Sequence, residues 1–261
     1  MSSLAAIFLL IAAASIYQIY HTQRVAAETV KTKVATAKDE LFKRILNELR
    51  LKPDDALQGI VSNNCSIVSN KDPFKLKIIF LETQGECGSL NFETGSYTLG
   101  EPGQAFLKTT VKNIFTHICD GFATTQHQPG SVEGVTLLGH TDNIPMKKCI
   151  GRNCLPFEGC QTSTAGEAKA ATGFCNNVQL SARRAQYVFF NVRAALPQGD
   201  ATAACVDKLF TVAGQGPMHP LSESNLGSSM PQAGLNKPGS LDRRVELTIE
   251  FKQPASFANS I

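Results

Sequence analysis

Residues 4–20 (LAAIFLLIAAASIYQIY) carry no charge, and their few polar positions give the run no wet side. A helix of these 17 residues would be about 25 Å long at 1.5 Å per residue, enough to cross a bilayer core with little tilt. Tyr17 and Tyr20 fall where aromatic side chains meet lipid headgroups. A cleaved signal peptide is the competing reading. Against it, no lysine or arginine precedes the run, no small-x-small site leads into a polar start, and no cysteine stands there to carry a lipid. The pattern therefore predicts an uncleaved transmembrane anchor over residues 1–22.

The period then changes. Val30, Val34, Leu41, Ile45 and Leu49 recur at helical spacing with Pro53 just beyond, which predicts an amphipathic helix over 25–51. Its apolar stripe is narrow and it continues the span. That favours a stalk over residues 23–53, pairing with a second copy, above a helix laid against the domain.

Residues 54–254 alternate between strand and helix patterns. KLKIIFL (75–81) is rich in branched and aromatic residues and predicts a strand, with Cys65 and Cys87 on either side. SLNFETGSYTL (89–99) predicts a strand that ends at a turn supplied by Gly95, after which Glu101-Pro102 opens a helix over 104–118. Phe106, Val111, Ile114, Phe115 and Ile118 form its inner face. A strand over 132–138, a helix over 177–195, a strand over 208–213 and a cleanly alternating strand over 241–252 complete the set. Residues 144–176, rich in Gly, Cys, Thr and Ala, read as a Cys-rich insertion. Residues 215–238 form a Gly/Ser/Pro-rich connection, and 255–261 a loose tail.

Composition narrows the picture. At 261 residues and 43% hydrophobic content, the chain beyond its apolar start suffices for one globular domain. A net charge of +3 without a long basic run argues against a nucleic-acid partner. Cys65, Cys87, Cys119, Cys149, Cys154, Cys160, Cys175 and Cys205 make an even set outside the apolar run, as expected of an exported domain with disulfides. Zinc held by Cys149, Cys154, Cys160 and Cys175 is the alternative, but that segment has no C-x-x-C pair and no histidine, so no metal is expected. Arg24, Lys31 and Lys33 follow the span while nothing basic precedes it, a balance that by itself would hold the C-terminal part in the cytoplasm. The cysteines point the other way.

Three stretches carry the candidate chemistry. The first is Leu138-Gly139-His140-Thr141-Asp142-Asn143, an acid-amide turn after an apolar strand. The second, Asn177 to Ala185 (NVQLSARRA), puts Arg184 on the first turns of a helix. The third, Asp242-Arg243-Arg244-Val245-Glu246, opens the last strand. Together they offer a carboxylate at Asp142 and a cationic fork at Arg184 or Arg243, which suits a ligand bearing an amine and a carboxylate on one carbon. Each residue also has a plainer reading: Asp142 as a turn cap, Asn177 as a helix N-cap, the arginines as surface charges. Arg244 and Glu246 read as facing away from the ligand or pairing structurally, and Arg183 as solvent-facing. No G-x-S-x-G, H-E-x-x-H or Gly-rich phosphate loop is present. Asp142 and Glu93 would suggest a carboxylate pair as in a glycosidase; it is the family resemblance of the three stretches that instead implies a binder rather than an enzyme, with no cofactor.

G-H-T-D-N, then N-x-x-L-S-x-x-R-A, then R-R-V-E before a last strand resembles the OmpA-like peptidoglycan-binding family over residues 74–252. The resemblance implies an α+β fold, a βαβαββ sandwich with helices on one face of a mixed sheet. It also implies that Asp142 and Arg184 clamp the diaminopimelate of a peptidoglycan stem peptide, supported by Asn177, Arg243, Asn143, Thr141 and Gly95. His140 would shape the turn, and Cys119 would lie near Cys205. The F-x-x-G-S form at 92–96, a preceding strand pair, and a span plus stalk are similar in layout to MotB- and ZorB-type proteins. Those sit in the bacterial inner membrane with this domain in the periplasm and dimerise through it. They carry an aspartate in the span after a basic segment, and residues 4–20 have neither, so either the chain is a wall anchor only or it is a stator-like subunit of an ion-driven motor or anti-phage complex whose ion conduction falls to a multi-span membrane partner. The rival is a protein–protein interaction module whose groove is covered by the insertion and the 215–238 connection.

Overall fold

The computed structural model describes residues 2–52, 59–63, 65–81, 90–92, 95–124, 130–141, 166–216 and 243–253, with backbone alone at 2–6 and 166–175. In chain order the elements are α1 (Ser2–Glu48), β1 (Ile60–Ser62), β2 (Ser66–Ser69), β3 (Lys75–Leu81) and α2 (Glu101–Phe106). A π-helical segment (Leu107–Val111) follows, then α3 (Lys112–Thr124), β4 (Val132–His140), α4 (Gly166–Ala194), α5 (Ala201–Leu209), β5 (Phe210–Gly216) and β6 (Arg244–Phe251). The sheet runs β1-β2-β3-β6-β4-β5, with β4 and β5 parallel and the other neighbours antiparallel. From β3 onward this is the expected βαβαββ succession, with α5 inserted before β5.

Period-two alternation divides the sheet's faces. Leu76, Ile78 and Phe80 of β3, Val135 and Leu137 of β4, and Val245, Leu247, Ile249 and Phe251 of β6 point to the helices and form the main core with Val111, Ile114, Phe115, Ile118, Val188 and Val192. The opposite face carries Lys75, Lys77, Thr136, His140, Arg244, Glu246 and Glu250, beside a small apolar cluster of Ile60, Ile67, Ile79 and Leu81.

The first correction concerns α1. Its second half is not a separate stalk: Val34, Leu41, Phe42, Ile45, Leu46 and Leu49 are buried in the main core. Glu48 fastens it to α3 through His117 (3.0 Å) and Asn113 (3.1 Å). Lys38 donates to the carbonyls of Asn70 and Asp72, and Asn70 donates to Asp39 at 3.0 Å. Burial pushes the Lys38 ammonium down, and Asp39 and Asp72 partly offset it. A stripe too narrow to wrap around a second helix is wide enough to fill one groove of a sheet-and-helix core. Among the described residues no helix is long and apolar enough to cross a membrane.

Further corrections concern boundaries. Gly166–Asn176, assigned above to the insertion, is the first part of α4, because its alanines, Glu167 and Lys169 favour helix over loop. Asn177 is therefore interior to α4 and not an N-cap, and Arg184 lies in mid-helix rather than on the first turns. Lys208 is helical. Asp200 caps α5 by accepting from the Thr202 amide at 3.1 Å, and the strand begins only at Phe210.

Cys119 of α3 is disulfide-bonded to Cys205 of α5, and Cys65 is also disulfide-bonded. Cys87, Cys149, Cys154 and Cys160 lie outside the described residues, as does the side chain of Cys175. The Cys119–Cys205 bridge closes 86 residues of chain. Replacing both cysteines by alanine is expected to lower unfolding free energy by about 2–4 kcal/mol. Urea denaturation of the double variant against the oxidised parent measures this.

Candidate functional site

The candidate residues gather where β4 ends, β5 ends and β6 begins, and glycines make that gathering possible. A Cβ on Gly139 would overlap the Ser181 carbonyl oxygen, and one on Gly214 would overlap the Ala182 backbone nitrogen. Only glycine lets α4 lie so close against β4 and β5. Ser181 then joins them: its hydroxyl accepts from the Gly216 amide at 2.9 Å and donates to the Val178 carbonyl at 2.7 Å.

This contact places the turn after β4. The Thr141 amide donates to the Gly216 carbonyl at 3.3 Å, and its hydroxyl to the Asn177 carbonyl at 3.4 Å. Thr141 and Asn177 are each 3% exposed, so they hold backbone together rather than face open water. Asp142 follows Thr141 directly in the chain. Asp142 and Asn143 lie outside the described residues.

Asn177, Ser181, Arg184 and Val188 recur at helical spacing along the inner stripe of α4. Arg184 is 2% exposed. Its Nε donates to the Ser96 carbonyl at 3.0 Å, and its guanidinium lies over the Phe92 ring, 4.8 Å from the centroid. Ser96 is presented by the turn at Gly95, whose φ of 74° is the left-handed conformation glycine allows. Phe92 and Leu99 form an isolated bridge across that turn, and the Ser96 hydroxyl lies 2.9 Å from that of Thr98. Phe92 and Ser96 thus seat Arg184. The F-x-x-G-S spacing contained that signal, although neither residue was singled out for the site.

Arg243 stands half-buried just before β6, beside Arg244, whose register partners are Leu81 and His140. Arg244 Nε donates to Glu246 Oε1 at 2.6 Å, His140 Nε2 lies 3.4 Å from the same oxygen, and Lys77 Nζ is 2.9 Å from Oε2. Burial alone would raise the Glu246 carboxyl. Arg244, His140 and Lys77 together overcome it and hold the group below the ordinary carboxylate range.

Thr141 and Asn177 meet where β4 ends, and Arg243 precedes the strand whose Arg244 is the register partner of His140. About two turns along α4 from Asn177, the Arg184 guanidinium is oriented by the Ser96 carbonyl beside Gly95 and by the Phe92 ring face. Such a group can take a carboxylate in a fixed direction. Among the described residues a cavity of about 160 Å³ lies elsewhere, between α1 and α3, bordered by Glu40, Arg44, His117 and Asp120. It contains none of the converging residues.

No protein-family model matches the chain, and no curated protein matches it. Solved structures similar to it are MotB-like and OmpA-like domains. A MotB-like protein from Desulfovibrio vulgaris is 14% identical, with a TM-score of 0.45, over 85% of this chain and 99% of that one. The OmpA-like domain of FopA1 from Francisella tularensis is 16% identical, with a TM-score of 0.34, over 75% and 81%. The periplasmic domain of MotB is 12% identical, with a TM-score of 0.41, over 74% and 71%. With TM-scores below 0.5 these likenesses carry no functional argument.

Proposed function

We propose that this chain binds peptidoglycan without catalysis, gripping the zwitterionic side chain of a diaminopimelate-type stem peptide between Asp142 and Arg184. Asn177, Thr141, Asn143, Arg243 and the Gly95 turn shape the cleft. The observation that supports the reading is the seating of Arg184, a buried guanidinium fixed by Ser96 and Phe92 on the same face of α4 as Asn177, whose carbonyl takes the Thr141 hydroxyl.

Ile7, Phe8, Leu9, Leu10 and Ile11 are consecutive and each more than half exposed, so every side of the helix there presents apolar surface. This supports residues 4–20 as an inner-membrane anchor with the domain in the periplasm, where the Cys119–Cys205 bridge would persist. No acidic residue stands in residues 4–20 to carry a transported proton, so the chain serves as wall anchor and any motor chemistry belongs to a partner.

The test is co-sedimentation of the full chain with purified peptidoglycan sacculi. The wild type is expected to be retained and Asp142→Ala to lose about 30-fold or more in affinity, as when one member of a buried charge pair is removed. Equal retention of the two proteins overturns the clamp.

A further inference from the structure

Glu246 is 4% exposed and lies on the sheet face away from the helices. Its cross-strand neighbours are Ile79 on β3 and Leu138 on β4. Ile79 belongs with Leu81, Ile60 and Ile67 to the apolar cluster of that face, so a leucine at 246 would extend an existing patch. Replacing a whole buried ion cluster by apolar side chains is often neutral or stabilising, whereas removing one member leaves the others uncompensated, so Glu246 and its neighbours act as a unit. What that unit joins follows from its location. One oxygen takes Arg244 of β6 and faces His140 of β4, and the other takes Lys77 of β3. Arg244, His140 and Lys77 are the charged or titratable described groups facing it. The next pair on this face, Lys75 and Glu250 at 2.7 Å, is closed on itself. His140 and Arg244 are register partners, each one residue from a cleft position: Thr141 follows the first and Arg243 precedes the second.

We propose that Glu246 is the positioning residue of the cleft: its carboxylate pins β3, β4 and β6 together and fixes the Thr141 turn relative to Arg243. This rests on the wall-binding reading. The pin works through charge, so its effect must follow the ionisation of Glu246. A carboxyl held below its ordinary value contributes fully above about 4.5, and the contribution is lost as pH falls through the lower folded value.

The experiment is co-sedimentation of the full chain in detergent with purified sacculi across pH 3.5 to 8, comparing wild type, Glu246→Gln, Lys77→Met, Glu250→Gln and Arg184→Met. Glu246→Gln is expected to bind about tenfold more weakly than wild type at neutral pH, and Lys77→Met about threefold, while Glu250→Gln matches wild type. The ratio of wild-type to Glu246→Gln affinity should hold steady above about pH 4.5 and fall towards one as pH drops through the lowered Glu246 value, where both proteins come to carry an uncharged group at 246. A role in shape alone would leave that ratio independent of pH. An unchanged Glu246→Gln affinity, or a pH-independent ratio, overturns the proposal. Should Glu246→Gln not fold, Lys77→Met decides by the same ratio, because its side chain is 45% exposed and its loss leaves the core intact. Wild type that fails to sediment overturns the wall reading and this proposal with it, and wild type retained no better than Arg184→Met removes Arg184 from the site and overturns the clamp on which this proposal rests. Retention of wild type over Arg184→Met with Glu246→Gln unaffected overturns this proposal alone.

Discussion

Alanine at Arg184 is expected to weaken binding to peptidoglycan by about 100-fold or more, the largest functional effect of any single substitution in the cleft. Truncating one partner of a desolvated charge pair costs about 2–5 kcal/mol, and each 1.4 kcal/mol is roughly tenfold. Arg184 is already oriented before ligand arrives: Nε is held by Ser96 and the guanidinium lies over Phe92. Little further ordering is needed on binding. Lysine at 184 keeps the charge but not the planar fork, so an intermediate loss of about tenfold is expected. Methionine keeps the aliphatic stem over Phe92 while deleting the charge, which separates packing from recognition. Sedimentation with sacculi measures affinity, and the melting temperature of each variant shows whether the fold survives. Methionine binding like wild type would remove Arg184 from the site.

Alanine at Gly139 is expected to have the largest effect on stability. The added Cβ would overlap backbone of α4, not the end of a flexible side chain, so relief requires the helix to move off the sheet. A destabilisation of about 3 kcal/mol or more follows, on the order of 6–12 °C in melting temperature for a chain of this size. Gly134, on the same strand, has open space where a Cβ would go, and alanine there should change stability by less than about 1 kcal/mol. Differential scanning calorimetry of the two variants separates close approach from glycine content, and equal melting temperatures would refute the tight seat of α4.

Strand 75–81 and the helix face of Val111, Ile114, Phe115 and Ile118 were legible because period and branching agree there, and the last strand because its alternation is unbroken. The cleft was legible as motifs spaced along the chain, but not as a geometry. That Arg184 meets Ser96 depends on α4 crossing Gly139 and Gly214, a contact between segments far apart in sequence. The Glu246 cluster was read as a structural pair with Arg244. Its third and fourth members, His140 and Lys77, come from other strands and enter only once register is known. Helix α5 was missed although Asp200 and the alanines after it carry a start signal, because Phe210 to Ala213 dominated the window as a strand. The docking of α1 was misjudged because a helix face does not reveal whether its cover is a sister copy or its own domain.

Helix α1 runs from Ser2 to Glu48 as one element, with its second half embedded in the core. Were the apolar start held in a bilayer, as proposed, the direction in which the domain faces would be keyed to it. One residue inserted between 21 and 29 would swing the domain by about 100° about the helix axis while lifting it only about 1.5 Å. Under that anchoring, tethering length and facing direction would be set by the same few residues, and a one-codon insertion there would redirect the domain almost without altering its reach.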